Sequence, residues 1–129
     1  MPRKKSPVSI VPKGSAEQPW YSIRAEGDGP AEVLIYGDIG DSWFAESVTA
    51  TKFAEDLNAV ADKDIVVRIN SYGGSVADGI TIYNAIRRHP KNKTTVVDGV
   101  AVSIASLIAM AGDTVQMGEN TLMMIHAPW

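Results

Sequence analysis

Cysteine is absent from this chain. That excludes disulfides, thiolate zinc sites and a cysteine nucleophile, and it fits a reducing compartment. Histidine is scarce: the 2 residues are His89 and His126. There is no excess of positive charge, because 12 Lys and Arg stand against 15 Asp and Glu. With a net charge of −3 and a pI near 5.3, nucleic acid is not an expected partner. The basic run Arg3-Lys4-Lys5 reads as a solvated tail. The longest apolar stretch, residues 100–111, falls short of the ~20 needed to cross a bilayer, so no membrane partner is expected either. The first residues are polar, carry Pro2 and Pro7, and lack the apolar segment of a signal peptide, so the expected setting is cytoplasmic. A Gly-x-x-x-x-Gly-Lys phosphate loop is missing. No His/Asp/Glu grouping has metal-ligand spacing, so neither metal nor cofactor is expected.

What is present is an ordinary globular composition, 45% hydrophobic and 21% charged over 129 residues, and one domain is expected. Residues 1–30 are rich in Pro, Gly, Ser and charge. They read as a flexible N-terminal arm with one short strand at 20–24. Residues 31–129 read as the folded domain. Strands are expected at 31–39, 64–70, 93–100, 113–117 and 122–126, where β-branched and apolar residues run between turn signals. A helix is expected at 47–61, with Phe53, Leu57 and Val60 on one face. A second at 75–88 carries Val76, Ile80, Tyr83 and Ile86 and stops before Pro90. A third at 103–111 is apolar nearly all round, hence buried, with Gly112 as its C-cap. Alternating strands and helices predict an α/β fold with mainly parallel pairing and right-handed crossovers. The strand–turn–helix unit recurs at Ile39, Asn70 and Gly99, which reads as a spiral of similar units.

Three features carry possible chemistry. Ser103 follows a small-residue turn and opens an apolar helix, where backbone N–H groups and the helix dipole favour an oxyanion. Serine is equally a favoured helix N-cap, so both readings stand. Ser106, one turn on, reads as a small packing residue. His126 ends an apolar run, and imidazole is the usual base for a serine hydroxyl. A satisfied, half-buried histidine is the alternative. His89, at a polar helix end, reads as exposed. Gly73-Gly74 is either an ordinary turn or a stretch of bare backbone N–H groups able to hold an oxyanion. Asp38, Asp41, Asp62, Asp64, Asp78, Asp98 and Asp113 lie near element ends, where capping explains them.

These residues resemble a known family. Ile69-Asn70-Ser71-Tyr72-Gly73-Gly74-Ser75-Val76, with Gly79, Ile82 and Tyr83, is similar to the Asn-Ser-Pro-Gly-Gly segment of the Clp protease proteolytic subunit, ClpP. Residues 99–106 resemble its nucleophile segment, and Met124-Ile125-His126-Ala127-Pro128 its histidine segment. The three motifs occur in the family's order and at similar spacing from Glu32 to the last residue. The nearest variety is the ClpP-related head-maturation proteases of phages and prophages, whose flavour lies in Ile35–Gly40, Arg87-Arg88-His89-Pro90 and Ala127-Pro128-Trp129.

The resemblance implies a ClpP/crotonase-like spiral of β-β-α units. It implies an ATP-dependent-Clp-like serine endopeptidase in which Ser103 attacks, His126 is the base, and the N–H groups of Gly74 and Ile104 hold the oxyanion. Gly73, Gly74, Ser75 and Val76 would bind substrate backbone as an added strand. The implied partners are a protein or peptide substrate, further copies in a heptameric ring, and either an AAA+ unfoldase or phage capsid proteins. Tyr72 replaces the family's proline, and Val102 replaces an alanine and is expected to crowd the nucleophile. The sequence given stops before the family's catalytic aspartate and helical handle, so a C-terminally truncated domain is expected, with Asp98 as a conceivable substitute. Two alternatives follow: a catalytically impaired, ring-forming assembly protein, and, more remotely, a crotonase-like acyl-CoA enzyme.

Overall fold

The computed structural model describes residues 7–11, 20–40 and 50–125. Among them a seven-stranded sheet runs in the order β1-β2-β3-β4-β5-β6, with β7 pairing β5 beyond the end of β6. The strands are β1 (Val8–Ile10), β2 (Tyr21–Ala25), β3 (Ala31–Tyr36), β4 (Ile65–Ser71), β5 (Lys93–Val102), β6 (Thr114–Met117) and β7 (Leu122–Met124). The β1–β2 and β2–β3 pairs are antiparallel; β3–β4, β4–β5, β5–β6 and β5–β7 are parallel. Three helices cross between the parallel strands: α1 (Ala50–Leu57), α2 (Val76–Arg88) and α3 (Ile104–Ala109). The α/β architecture with mainly parallel pairing is therefore the one the alternating pattern predicts.

Alternation sets the core. Val33 and Ile35 of β3, Ile65, Val67 and Ile69 of β4, and Thr95, Val97 and Ala101 of β5 are buried, while their neighbours are half-buried or exposed. The helices pack side by side, α1 on α2 and α2 on α3, and close over the buried face. Phe53 of α1 is fully buried, stacked on Trp20 and edge-on to Tyr21. Burial, and then its 2.6 Å hydrogen bond to Asp56, pushes the Tyr21 phenol far above its ordinary pKa.

Several sequence expectations are corrected by pairing partners distant in the chain. In the expected N-terminal arm, the short strand expected at 20–24 is β2 (Tyr21–Ala25), while Val8–Ile10 adds a second strand that was not expected and Trp20 belongs to the core. Within the expected helix, α1 is followed by a 3-10 turn at Asn58–Val60, and positions 47–49 lie outside the described residues. α3 ends at Ala109, with Met110 rather than Gly112 at its C-cap. Gly112 instead lets the chain pass Thr95, whose hydroxyl caps the Ala109 carbonyl from β5 at 2.5 Å. α3 is not buried all round, because Leu107 is exposed, as is Met110 at its C-cap. His89 is buried, not exposed: its Nε2 donates to the Lys63 carbonyl at 2.6 Å.

Asp113 ties α2, β5 and β6 together. It accepts the Lys93 backbone N–H at 3.2 Å and lies 3.5 Å from Lys93 Nζ and 3.4 Å from Arg87. That backbone bond, and then the Lys93 and Arg87 charges, hold its carboxyl below the usual carboxylate range. The folded state thus favours the ionised form, and the stabilisation is present above about pH 4 and fades as pH falls through the depressed folded pKa. Asp113→Asn is expected to lower the urea midpoint at pH 7, with the gap to wild type closing progressively below about pH 4. Phe53→Ala is expected to destabilise by about 3–5 kcal/mol in the same measurement, through the cavity it leaves beneath Trp20.

Candidate active site

β4 and β5 end side by side, and both lead into turns. β4 ends at Ser71, whose buried hydroxyl donates to the Gly37 carbonyl at 2.6 Å and accepts the Gly73 N–H at 3.0 Å. This serine shapes the turn, and its motif position alone did not disclose that role. The turn residues Gly73 and Gly74 have φ of +106° and +150°, a region that favours glycine. Gly74 lies against the backbone of Ile39, so a side chain there has no space. The Ile39 N–H donates to Gly73 O at 2.9 Å, and the Ser75 N–H donates to Ile39 O at 3.0 Å. In such a parallel bridge the N–H and C=O of the central residue, Gly74, point the other way.

Beyond Gly73 stands the start of α3. A Cβ on Gly73 would sit 2.9 Å from the Val102 carbonyl oxygen, 3.1 Å from Ser103 Cβ and 3.5 Å from the Ile104 nitrogen. The diglycine turn and the Ser103–Ile104 step are thus in backbone contact. Ser103 has φ 59° and ψ −129°, a strained conformation for a residue with a side chain. Its backbone is held from both sides: the N–H donates to Met124 O at 2.9 Å, and the C=O accepts the Ser106 N–H at 3.0 Å and the Ser106 hydroxyl at 2.5 Å. Its side chain makes no capping bond, so the N-cap reading does not describe what the hydroxyl does. Ile104 opens α3, where a backbone N–H has no acceptor within the helix.

Other expected site residues are placed as follows. Ser75 caps α2 by accepting the Asp78 N–H at 3.2 Å, and Val76 is the first residue of that helix. The Ser75 N–H donates to Ile39 O and its C=O accepts the Gly79 N–H, so both of its backbone groups are already bonded, while those of Gly74 point away from Ile39. Tyr72 is 72% exposed beside the turn. Val102 pairs with Met124 and is half-buried. Asp98 is committed elsewhere: one oxygen accepts the Arg68 guanidinium at 2.8 Å and the other the Tyr36 hydroxyl at 2.5 Å. Partial burial, and then that bond, push the Tyr36 phenol up to about 12. Arg68 and Tyr36 thus each occupy one oxygen of the carboxylate conceived as a substitute for a triad aspartate. His126 lies outside the described residues, and only Ile125 separates it from Met124. Among the described residues no group of three or more His, Asp or Glu is arranged to hold a metal. A pocket of about 260 Å³ between α1 and α2, lined by Thr51, Glu55, Asn58, Arg88 and His89, includes neither Ser103 nor the diglycine turn.

Comparison with known proteins places this geometry. A match to the Clp protease family spans residues 15–129. The ATP-dependent Clp protease proteolytic subunit of Ligilactobacillus salivarius is 32% identical over 122 residues, covering 93% of this chain and 61% of its own length. The subunit of the same name from Leuconostoc citreum is 34% identical over 98 residues, with 74% and 48% covered. Among solved structures, ClpP1 from Listeria monocytogenes superposes with a TM-score of 0.64 at 29% identity, covering 75% of this chain and 56% of that one. The chain thus spans between about half and three fifths of the length of these relatives. With the sheet order, the diglycine turn and the strained serine in place, the family match extends across nearly the whole sequence, and the chain belongs to the Clp protease family.

Proposed function

We propose that this chain carries the catalytic centre of a Clp-type serine endopeptidase. Ser103 is the nucleophile, His126 its general base, and the N–H groups of Gly74 and Ile104 receive the oxyanion. The observation that carries the reading is the backbone contact between Gly73 and Ser103–Ile104, beside a serine held at φ 59°. The hydrogen bond from Ser103 N–H to Met124 O supports it, because the chain reaches His126 two residues later.

In this reading Ser103 Oγ attacks the carbonyl carbon of a peptide bond while His126 takes its proton. Negative charge gathers on the carbonyl oxygen, where the two N–H donors meet it, each worth about 3–4 kcal/mol in comparable sites. His126 then protonates the departing amine, and water hydrolyses the acyl-serine by the reverse sequence of proton transfers. The Gly74 edge fixes the substrate backbone next to the reacting carbonyl. Carboxylate acid/base chemistry gives no reason to pair a serine with a histidine, which disfavours the acyl-CoA alternative.

Finer features belong to the same proposal. The substrate is a protein, the active form is a homo-oligomeric ring, and the setting is cytoplasmic. The resemblance of Ile35–Gly40 and of Arg87–Pro90 to head-maturation proteases supports a phage capsid protein as substrate, and the relatives' name supports an ATP-driven unfoldase as the other candidate partner.

Labelling with a fluorophosphonate, read by peptide mass spectrometry on the full gene product, tests the chemistry. A single adduct on Ser103 is expected, none in Ser103→Ala, and labelling slower by about a hundredfold or more in His126→Ala. An unreactive wild type would leave the assembly-protein reading in possession. Gly73→Ala is expected to slow labelling by about a hundredfold, because its methyl group would press on Val102 and Ser103 at a φ that disfavours side chains.

A further inference from the structure

β5 changes both its register and its neighbour just before the nucleophile. Along β4 the partners run evenly from Ile65↔Lys93 to Ile69↔Val97. The next pair is Ser71↔Ala101, so Asp98, Gly99 and Val100 lie opposite Asn70 alone. On its other edge β5 pairs with β6 along Thr94–Val97 and with β7 along Val100–Val102. The bulge is therefore the point at which β5 leaves one neighbour for another. Because β5 gains an even number of residues there, Ala101 faces the core as Val97 does.

A bulge leaves ladder groups without backbone partners. Here the Val100 N–H is received by Asn70 Oδ1 at 3.1 Å, while the Asn70 carbonyl accepts the Gly37 N–H at 3.0 Å. The same amide fills the space over Gly99: a Cβ on Gly99 would stand 2.5 Å from Asn70 Oδ1 and 3.1 Å from its Cγ. The φ of Gly99 lies outside the range that L side chains avoid, so contact with Asn70, and not backbone conformation, is what excludes a side chain there. Three residues past Val100, the strand delivers Ser103 against the diglycine turn that begins three residues past Asn70.

We infer that the Asn70 side chain is a positioning residue, which stands in for a missing strand partner, holds the β5 bulge, and so sets the height at which Ser103 meets the Gly73–Gly74 turn. Asn70 acts through the Val100 N–H and takes no part in bond-making. The link to rate rests on Ser103 being the nucleophile; the link to the bulge does not.

The experiment is a double-mutant cycle on the full gene product, read by fluorophosphonate labelling of Ser103, by kcat and KM on a fluorogenic peptide, and by amide exchange at Val100. Asn70→Ala is expected to lower the labelling rate and kcat by about ten- to a hundredfold with KM little changed, a loss typical of small misplacements of a reacting group. The Val100 amide is expected to lose its protection from exchange. Asn70→Asp keeps an acceptor at the same place and is expected to restore both. Gly99→Ala is expected to reproduce the defect by displacing the Asn70 side chain, and the double variant Asn70→Ala, Gly99→Ala to be no worse than either single one. If Asn70→Ala does not fold, Gly99→Ala alone carries the same readings. Unchanged Val100 protection, or additive losses in the cycle, would overturn the inference. An unlabelled wild type would instead overturn the peptidase reading, with the exchange measurement still deciding the role of Asn70.

Discussion

The backbone of Gly73 passes so close to Val102 and Ser103 that no side chain fits between them. Much of the molecule serves that contact. It requires β4 and β5 to end at the same level, which their parallel pairing from Ile65 to Ala101 provides. It requires the turn after β4 to be fixed from behind, which the Ser71 hydroxyl and the Ile39 bridge provide. It also requires α2 and α3 to lie close together, and Gly79 of α2 leaves room for Ile104 of α3. The tension at Ser103 is held by hydrogen bonds on both of its sides, two from Ser106 of α3 and one to Met124 of β7. A residue in such a conformation persists only where its surroundings over-determine it.

Much of this organisation was readable in the sequence because it is written in short-range pattern. Val33 and Ile35, Val67 and Ile69, and Thr95 and Val97 alternate inward as a sheet with one covered face demands. The diglycine and the serine were readable as candidate chemistry because glycine at a turn and serine at a helix start each have a narrow set of uses. What the sequence withheld depends on partners far away. β1 lies in a Pro- and Gly-rich stretch, and it is a strand because β2 presents an edge to it. His89 sits at a polar helix end and is buried because the Lys63 carbonyl receives it. Gly112 looked like a helix stop, and its real neighbour is Thr95 of β5.

The site shows the same division. Residue types and spacing pointed to Ser103, Gly73 and Gly74, and the fold brings their backbones together. Spacing did not reveal that Ser75 and Val76 are drawn into α2, or that Asp98 is held by Arg68 and Tyr36. Nor did it reveal that β5 exchanges neighbours opposite Asn70. Each is a matter of which group reaches a polar atom first, and that is settled only when strands find their register.

The positive φ of Ser103 separates two edits that look alike on paper. Alanine deletes the hydroxyl and keeps the unfavourable backbone, so the variant retains the shape of its parent. Glycine deletes the hydroxyl and also removes the conformational penalty, freeing the junction between β5 and α3 to relax. A variant meant to remove the hydroxyl alone should therefore carry alanine, while a glycine form gauges how much folding free energy the native serine withholds.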